Sequence, residues 1–120
     1  MKRSVISELS IKFALRIIKL HKYLCDEKRE YDMSKQVYRS GTSIGANIAE
    51  SRNAQSKADF VNKLSIALKE ADETEYWLVL LFQSGTITES EYDSLISDLK
   101  IIIGTLINII NKTKENEQTS

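Results

Sequence analysis

Residues 34–54, SKQVYRSGTSIGANIAESRNA, constrain this chain more than any other stretch. No proline interrupts them, and Val37, Gly41, Ile44, Ile48 and Ser51 fall on one stripe at steps of three and four, the period of a helix. Val37, Ile44 and Ile48 are the only aliphatic side chains here larger than alanine. Gly41, Gly45 and Ala49, spaced by four, stack small residues on one flank. A glycine inside a helix costs about 0.8–1 kcal/mol against alanine. Two of them a turn apart are tolerable where a neighbouring helix uses the space for close approach. The expectation is a small-faced helix around which the greasier segments pack, with Ser34 as its N-cap. A leucine at Gly45 should then overpack the contact.

A second stripe on the same segment is polar: Ser40, Ser43, Asn47 and Glu50. Polar groups beside a packed flank need partners. Candidates lie on the following segment, where the carboxylates of Glu70 and Glu73 share a face one turn apart and Arg39, Asn47 and Lys63 could satisfy them. Arg39, Ser43, Asn47, Glu50, Glu70 and Glu73 are therefore expected to form a structural polar network.

Three further segments carry helical periodicity. Ile6, Leu9, Phe13, Ile17, Leu20 and Leu24 mark one apolar face over residues 5–28. Lys12, Arg16, Lys19 and Tyr23 follow the same period elsewhere on that cylinder. Over residues 57–83, Phe60, Leu64, Ala67, Ala71, Thr74, Leu78 and Leu81 form a heptad-like seam, the pattern of nearly antiparallel bundle packing. Ser56 with Asp59 opens that helix as a capping box. Gly85 suits the position just past its end, where φ is often positive. Thr88 with Glu91 opens the fourth segment, where Tyr92, Leu95, Leu99, Ile102, Leu106 and Ile109 continue the period. Ile96, Ile101, Ile103, Ile107 and Ile110 widen that stripe enough to predict burial on two sides. The fold class is all-α, an antiparallel up-down-up-down four-helix bundle. One domain is expected over residues 1–112, with a frayed polar tail over 113–120.

The chemistry of a catalyst is missing. No Glu-x-x-His pair exists to ligate a carboxylate-bridged metal pair. His21 and Cys25 share a helix face, but two ligands do not close a zinc site. GTSIGAN, residues 41–47, lacks the Lys-Ser/Thr of a phosphate loop and follows no strand. No metal, cofactor or enzymatic activity is assigned. Cys25 stands alone, so no internal disulfide forms, which suits a reducing cytoplasm. The N-terminal residues do not read as a signal peptide, and no apolar run reaches the length of a membrane span. Net charge is zero yet split: residues 1–40 hold ten Lys and Arg against five Asp and Glu, and the remainder holds the opposite excess. Such asymmetry can order an assembly or steer a partner.

YRSGTSIGANIAES followed by SKADFVNKLSIALKEADETEYWL resembles the two signature blocks of the bacterial four-helix bundle proteins described from intervening sequences within 23S ribosomal RNA genes. The chain is also similar to accessory proteins of diversity-generating retroelements. The resemblance implies a bundle that assembles into a homo-pentameric barrel, and, through the accessory proteins, contact with nucleic acid. The functional expectation is a non-enzymatic oligomeric scaffold that binds structured RNA or DNA weakly. Lys12, Arg16, Lys19 and Lys22 would contact phosphate and Tyr23 would stack. The alternative is a protein-interaction module without nucleic-acid binding, serving for example a reverse transcriptase or a ribosome-associated factor.

Overall fold

A computed structural model describes the backbone of residues 4–119 and the side chains of residues 4–116. The ends of the expected domain and tail, residues 1–3 and 120, lie outside the described residues. The chain forms α1 (Val5–Asp26), α2 (Asp32–Ser51), α3 (Lys57–Gln83) and α4 (Glu89–Thr119). α4 stays helical past residue 112 to Thr119.

Three helices start on a side-chain cap. The Ser4 hydroxyl accepts the Ser7 amide at 3.3 Å, and the Ser56 hydroxyl accepts the Asp59 amide at 3.0 Å. At α4 the box is reciprocal: Glu91 N–H donates to Thr88 Oγ1 at 3.1 Å, and Thr88 N–H donates to Glu91 Oε1 at 2.9 Å. The expectation for α2 is corrected. Ser34 is no cap: it lies inside the helix, fully buried, and its own N–H donates to Glu30 Oε1 at 3.0 Å. The Glu30 carboxylate supplies the acceptor a first-turn amide needs, so the helix begins before Ser34.

α3 closes as the glycine predicts. Gly85 adopts φ 78°, Thr86 N–H reaches the Leu81 carbonyl at 2.9 Å, and Gly85 N–H reaches Phe82 at 3.0 Å. This pair of bonds satisfies carbonyls that the helix leaves open. After α1 the same left-handed region is taken by Arg29, at φ 52°.

The helices occupy the corners of a square, each alternating in direction with the next. α2 lies beside α1 and α3, α4 lies beside α3 and α1, and the backbones of the diagonal pairs stay apart across the shared core. α2 therefore does not run through the middle of the bundle with three helices around it. Its small side chains instead give the densest contacts, to α3 and α1, while the α1–α4 seam is the sparsest. The bundle measures 53 × 24 × 23 Å. The 31 residues of α4 account for most of that length at about 1.5 Å per residue.

The core is the sum of the predicted stripes. Phe13, Ile17 and Leu24 of α1, Val37 and Ile44 of α2, and Leu64, Leu78 and Leu81 of α3 are essentially fully buried, as are Leu99 and Leu106 of α4. Gly41 and Gly45 face α1. A β-carbon on Gly41 would stand 2.8 Å from Ile17 Cγ1, and one on Gly45 would stand 3.2 Å from Ser10 Oγ. Ala49, expected on the same flank, is exposed. Each step of four residues turns a helix by about 40° at 3.6 residues per turn. Two steps carry Ala49 about 80° around the cylinder from Gly41, off the α1 contact and into solvent.

Candidate functional site

Two groups of predicted side chains can be followed into the structure, the polar network and the basic stripe.

The polar network divides by depth. Across the α2–α3 contact, Arg39 Nη1 donates to Glu70 Oε2 at 3.3 Å and Arg39 Nη2 donates to Glu73. Glu73 also accepts from Trp77 Nε1 at 3.0 Å, and Lys63 pairs with Glu50 at 3.3 Å. These pairs sit on the surface: the Arg39 side chain is 48% exposed and that of Glu50 61%. Ser43 and Asn47 do not cross between helices. The Ser43 hydroxyl donates to the Arg39 carbonyl at 2.6 Å, and Asn47 Nδ2 donates to the Ser43 carbonyl at 2.9 Å, both along α2. Lys63 thus answers Glu50 rather than Glu70 or Glu73, and Asn47 answers neither carboxylate.

The buried polar contact between α2 and α3 is one that the sequence reading did not pair. The Ser40 and Thr74 hydroxyls lie 2.9 Å apart, both 0% exposed, and Thr74 donates to the Glu70 carbonyl at 2.7 Å. Thr74 carries one hydroxyl proton, and both the Ser40 hydroxyl and the Glu70 carbonyl stand as acceptors for it. Thr74 was legible only as a member of the apolar seam. Its hydroxyl, one turn from Glu70 and on the flank facing α2, was the available signal. At the α1–α2 end, Ser34 Oγ lies 2.6 Å from His21 Nδ1 and 3.4 Å from Cys25 Sγ, with the Tyr38 ring tilted over His21 at 4.7 Å. Among the described residues, no group of three or more His, Cys, Asp or Glu is placed to hold a metal ion.

The basic stripe on α1 also divides. Lys12, Lys19 and Lys22 are exposed and make no ion pair among the described residues. Arg16 is engaged by α4: Nη1 donates to Asp98 Oδ2 at 2.7 Å and to the Ser94 carbonyl at 3.1 Å, and Nη2 donates to Ser94 Oγ at 2.8 Å. The planar fork of a guanidinium suits such a three-point hold, which a lysine ammonium cannot make in one plane. Tyr23 packs half-buried against the core, with the Lys28 ammonium 5.9 Å from its ring. Ser94 and Asp98, a turn apart on α4, are the residues that sequence reasoning missed. Nothing in their spacing tells which α1 cation they will meet.

Elsewhere on the surface, Leu15 is 56% exposed among these lysines, and Ile101 and Ile107 on α4 are 55% and 41% exposed. A β-carbon at Gly104, between them, would meet nothing within 4 Å. The wide apolar stripe of α4 is thus buried on one side within the chain, and part of its remainder faces outward. No helix among the described residues is long and apolar enough to cross a membrane.

With this geometry established, a family model for the 23S rRNA-intervening sequence protein matches residues 2–108. The chain belongs to the 23S rRNA-intervening sequence protein family. A solved structure from Bacteroides thetaiotaomicron, described as a protein with unknown function from the S23 ribosomal protein family, is similar to it. The two share 56% sequence identity over 88% of this chain and 98% of that one, with a TM-score of 0.88. No curated protein matches the chain. The matched residues include both sides of the α2–α3 contact, where Ser40, Thr74 and the Arg39 ion pairs are found, and of the α1–α2 contact, where Gly41 meets Ile17. Of these, Gly41 has a steric reason to be small, since a β-carbon there would collide with Ile17.

Proposed function

We propose that this member of the 23S rRNA-intervening sequence family is a non-enzymatic scaffold that self-assembles and contacts the phosphate backbone of structured RNA through the outer face of α1. The observation that carries the reading is the set of three exposed, unanswered ammonium groups on Lys12, Lys19 and Lys22. Phosphate contacts of this kind position a partner without reading its sequence. Arg16 supports the face indirectly, by fixing α1 against α4. Self-assembly accords with the outward apolar residues Leu15, Ile101 and Ile107, and with the resemblance to pentameric relatives.

Filter binding of a labelled RNA hairpin across a salt series tests the RNA part. Three phosphate contacts give a log–log slope of about −2 to −3. Lys12→Glu, Lys19→Glu and Lys22→Glu together should abolish binding. Affinity that is absent at low salt, or that survives the triple substitution, rejects it. Light scattering tests assembly: a monomer at micromolar concentration rejects that part. The second reading, a protein-interaction module, is favoured by Leu15, which is 56% exposed and set among the lysines where a phosphate surface has no need of it. An assembled chain that ignores RNA at every salt concentration selects that reading.

A further inference from the structure

The α1–α4 seam is held at one level by Arg16, through its three bonds to Ser94 and Asp98. Toward the end of α1 and the start of α4 it opens into a cleft of about 460 Å³, lined by Lys19, Leu20, Tyr23, Ser90, Glu91 and Leu95 with Arg16 and Ser94 at the clamp. This is within the range of small-molecule sites, which also occur between the helices of bundles. We propose that the cleft binds a small aromatic anion, its ring against Leu20, Leu95 and Tyr23 and its charged group on Lys19 and the neighbouring hydroxyls.

The floor is apolar. Leu20 and Leu95 belong to the core and keep 8% and 5% of their surface open. Tyr23 adds a half-buried ring, a flat face for another ring to pack on. The rim is rich in donors. Ser94 Oγ accepts an N–H from Arg16, which leaves its own O–H to donate. Ser90 and Tyr23 add two more hydroxyls. The charges at the rim are unequal in availability. Arg16 is answered by Asp98, and Glu91, the one carboxylate lining the cleft, is held by the Thr88 amide at 2.9 Å. Lys19 and Glu91 both lack an ion-pair partner among the described residues, but the Glu91 carboxylate is engaged by the Thr88 amide while the Lys19 ammonium has no hydrogen-bond partner. An apolar floor beneath one free ammonium and several free O–H groups is complementary to a flat apolar body bearing an anionic acceptor. A neutral body would leave the ammonium without a partner, and a bare inorganic anion would leave the leucines without one.

The cleft goes beyond the RNA reading and stands without it, since a chain that ignores RNA retains the same floor and rim. The test is an amide-resolved NMR titration of the full chain with 1-naphthoate and, separately, with the neutral 1-naphthalenemethanol. The expected result is saturable shifts confined to residues 16–23 and 90–95, with naphthoate about tenfold tighter than the alcohol. Lys19→Gln, at an exposed position that leaves the fold intact, should remove that preference while the alcohol binds as before. The proposal is overturned by shifts elsewhere, by no saturation, by equal affinity for the two probes, or by a preference that survives Lys19→Gln.

Discussion

Gly41→Ala places a methyl group where the α1–α2 contact has no room for it. Its carbon would lie 2.8 Å from Ile17 Cγ1, 2.9 Å from Cγ2 and 3.3 Å from Cβ, well inside van der Waals contact. Ile17 is 0% exposed and β-branched, so its side chain has no free rotamer to retreat into. The two helices must part or the isoleucine must leave its well. Overpacking of this kind costs about 1–3 kcal/mol. Alanine returns about 0.8–1 kcal/mol of helix propensity. The net expectation is a loss of up to about 2 kcal/mol. Urea unfolding followed by far-UV circular dichroism, at one fixed chain concentration, reads it as a lower midpoint with an unchanged slope. The physical cause is isolated by repeating the substitution in an Ile17→Ala background. There the methyl finds space, only the propensity gain remains, and Gly41→Ala should stabilise by about 1 kcal/mol. Gly45→Ala is the second control: its nearest atom is Ser10 Oγ at 3.2 Å, which needs to give by only a few tenths of an ångström against the closer contacts at Gly41, so its cost should be smaller. The reasoning fails if Gly41→Ala is neutral or stabilising in the parent, or if it costs the same in both backgrounds.

Three other outcomes are expected. Thr74→Val should cost about 1 kcal/mol by leaving the buried Ser40 hydroxyl unmatched, Ser40→Ala should cost less because Thr74 keeps the Glu70 carbonyl, and the pair together should cost less than their sum; additive losses in a urea double-mutant cycle would break the link between them. Arg29→Gly should stabilise by about 0.5–1 kcal/mol, because φ 52° carries no penalty for glycine; a drop in thermal midpoint contradicts this. The hydrogen bond from Lys100 to Glu75 at 2.8 Å, followed by the charge of that carboxylate, raises the lysine pKa above its ordinary 10.5. A raised pKa gives stability that is fully present below the ordinary value and lost as pH climbs through the raised one. Lys100→Gln should therefore flatten the alkaline fall in urea midpoint above about pH 10.5, and an unchanged pH profile would remove the pair from the account.

The helices and their buried faces were legible because a helix carries its own ruler. Core residues recur at steps of three and four whatever they pack against, so Phe13, Ile17, Leu64, Leu78 and Leu99 could be assigned inward from spacing alone. The caps at Ser56 and Thr88 and the turn at Gly85 were legible for the same reason, since each satisfies amides or carbonyls within a few residues of itself. The resemblance to the family was also carried by local blocks, both lying in α2 and α3 with the Ser56 cap, and the family match itself spans residues 2–108.

Partner choice belongs to the tertiary structure. Lys12, Arg16 and Lys19 look alike along α1, yet the rotation of α4 sets Asp98 and Ser94 against Arg16 and leaves the two lysines in solvent. Gly41 and Ala49 look alike along α2, yet about 80° of helical drift buries one and exposes the other. Thr74 reads as one more seam residue until α2 brings Ser40 to 2.9 Å from it. A periodic pattern defines a face to within a few tens of degrees. A hydrogen bond, a close glycine contact or an ion pair is decided within an ångström, and that last displacement is set by how all the faces settle against one another.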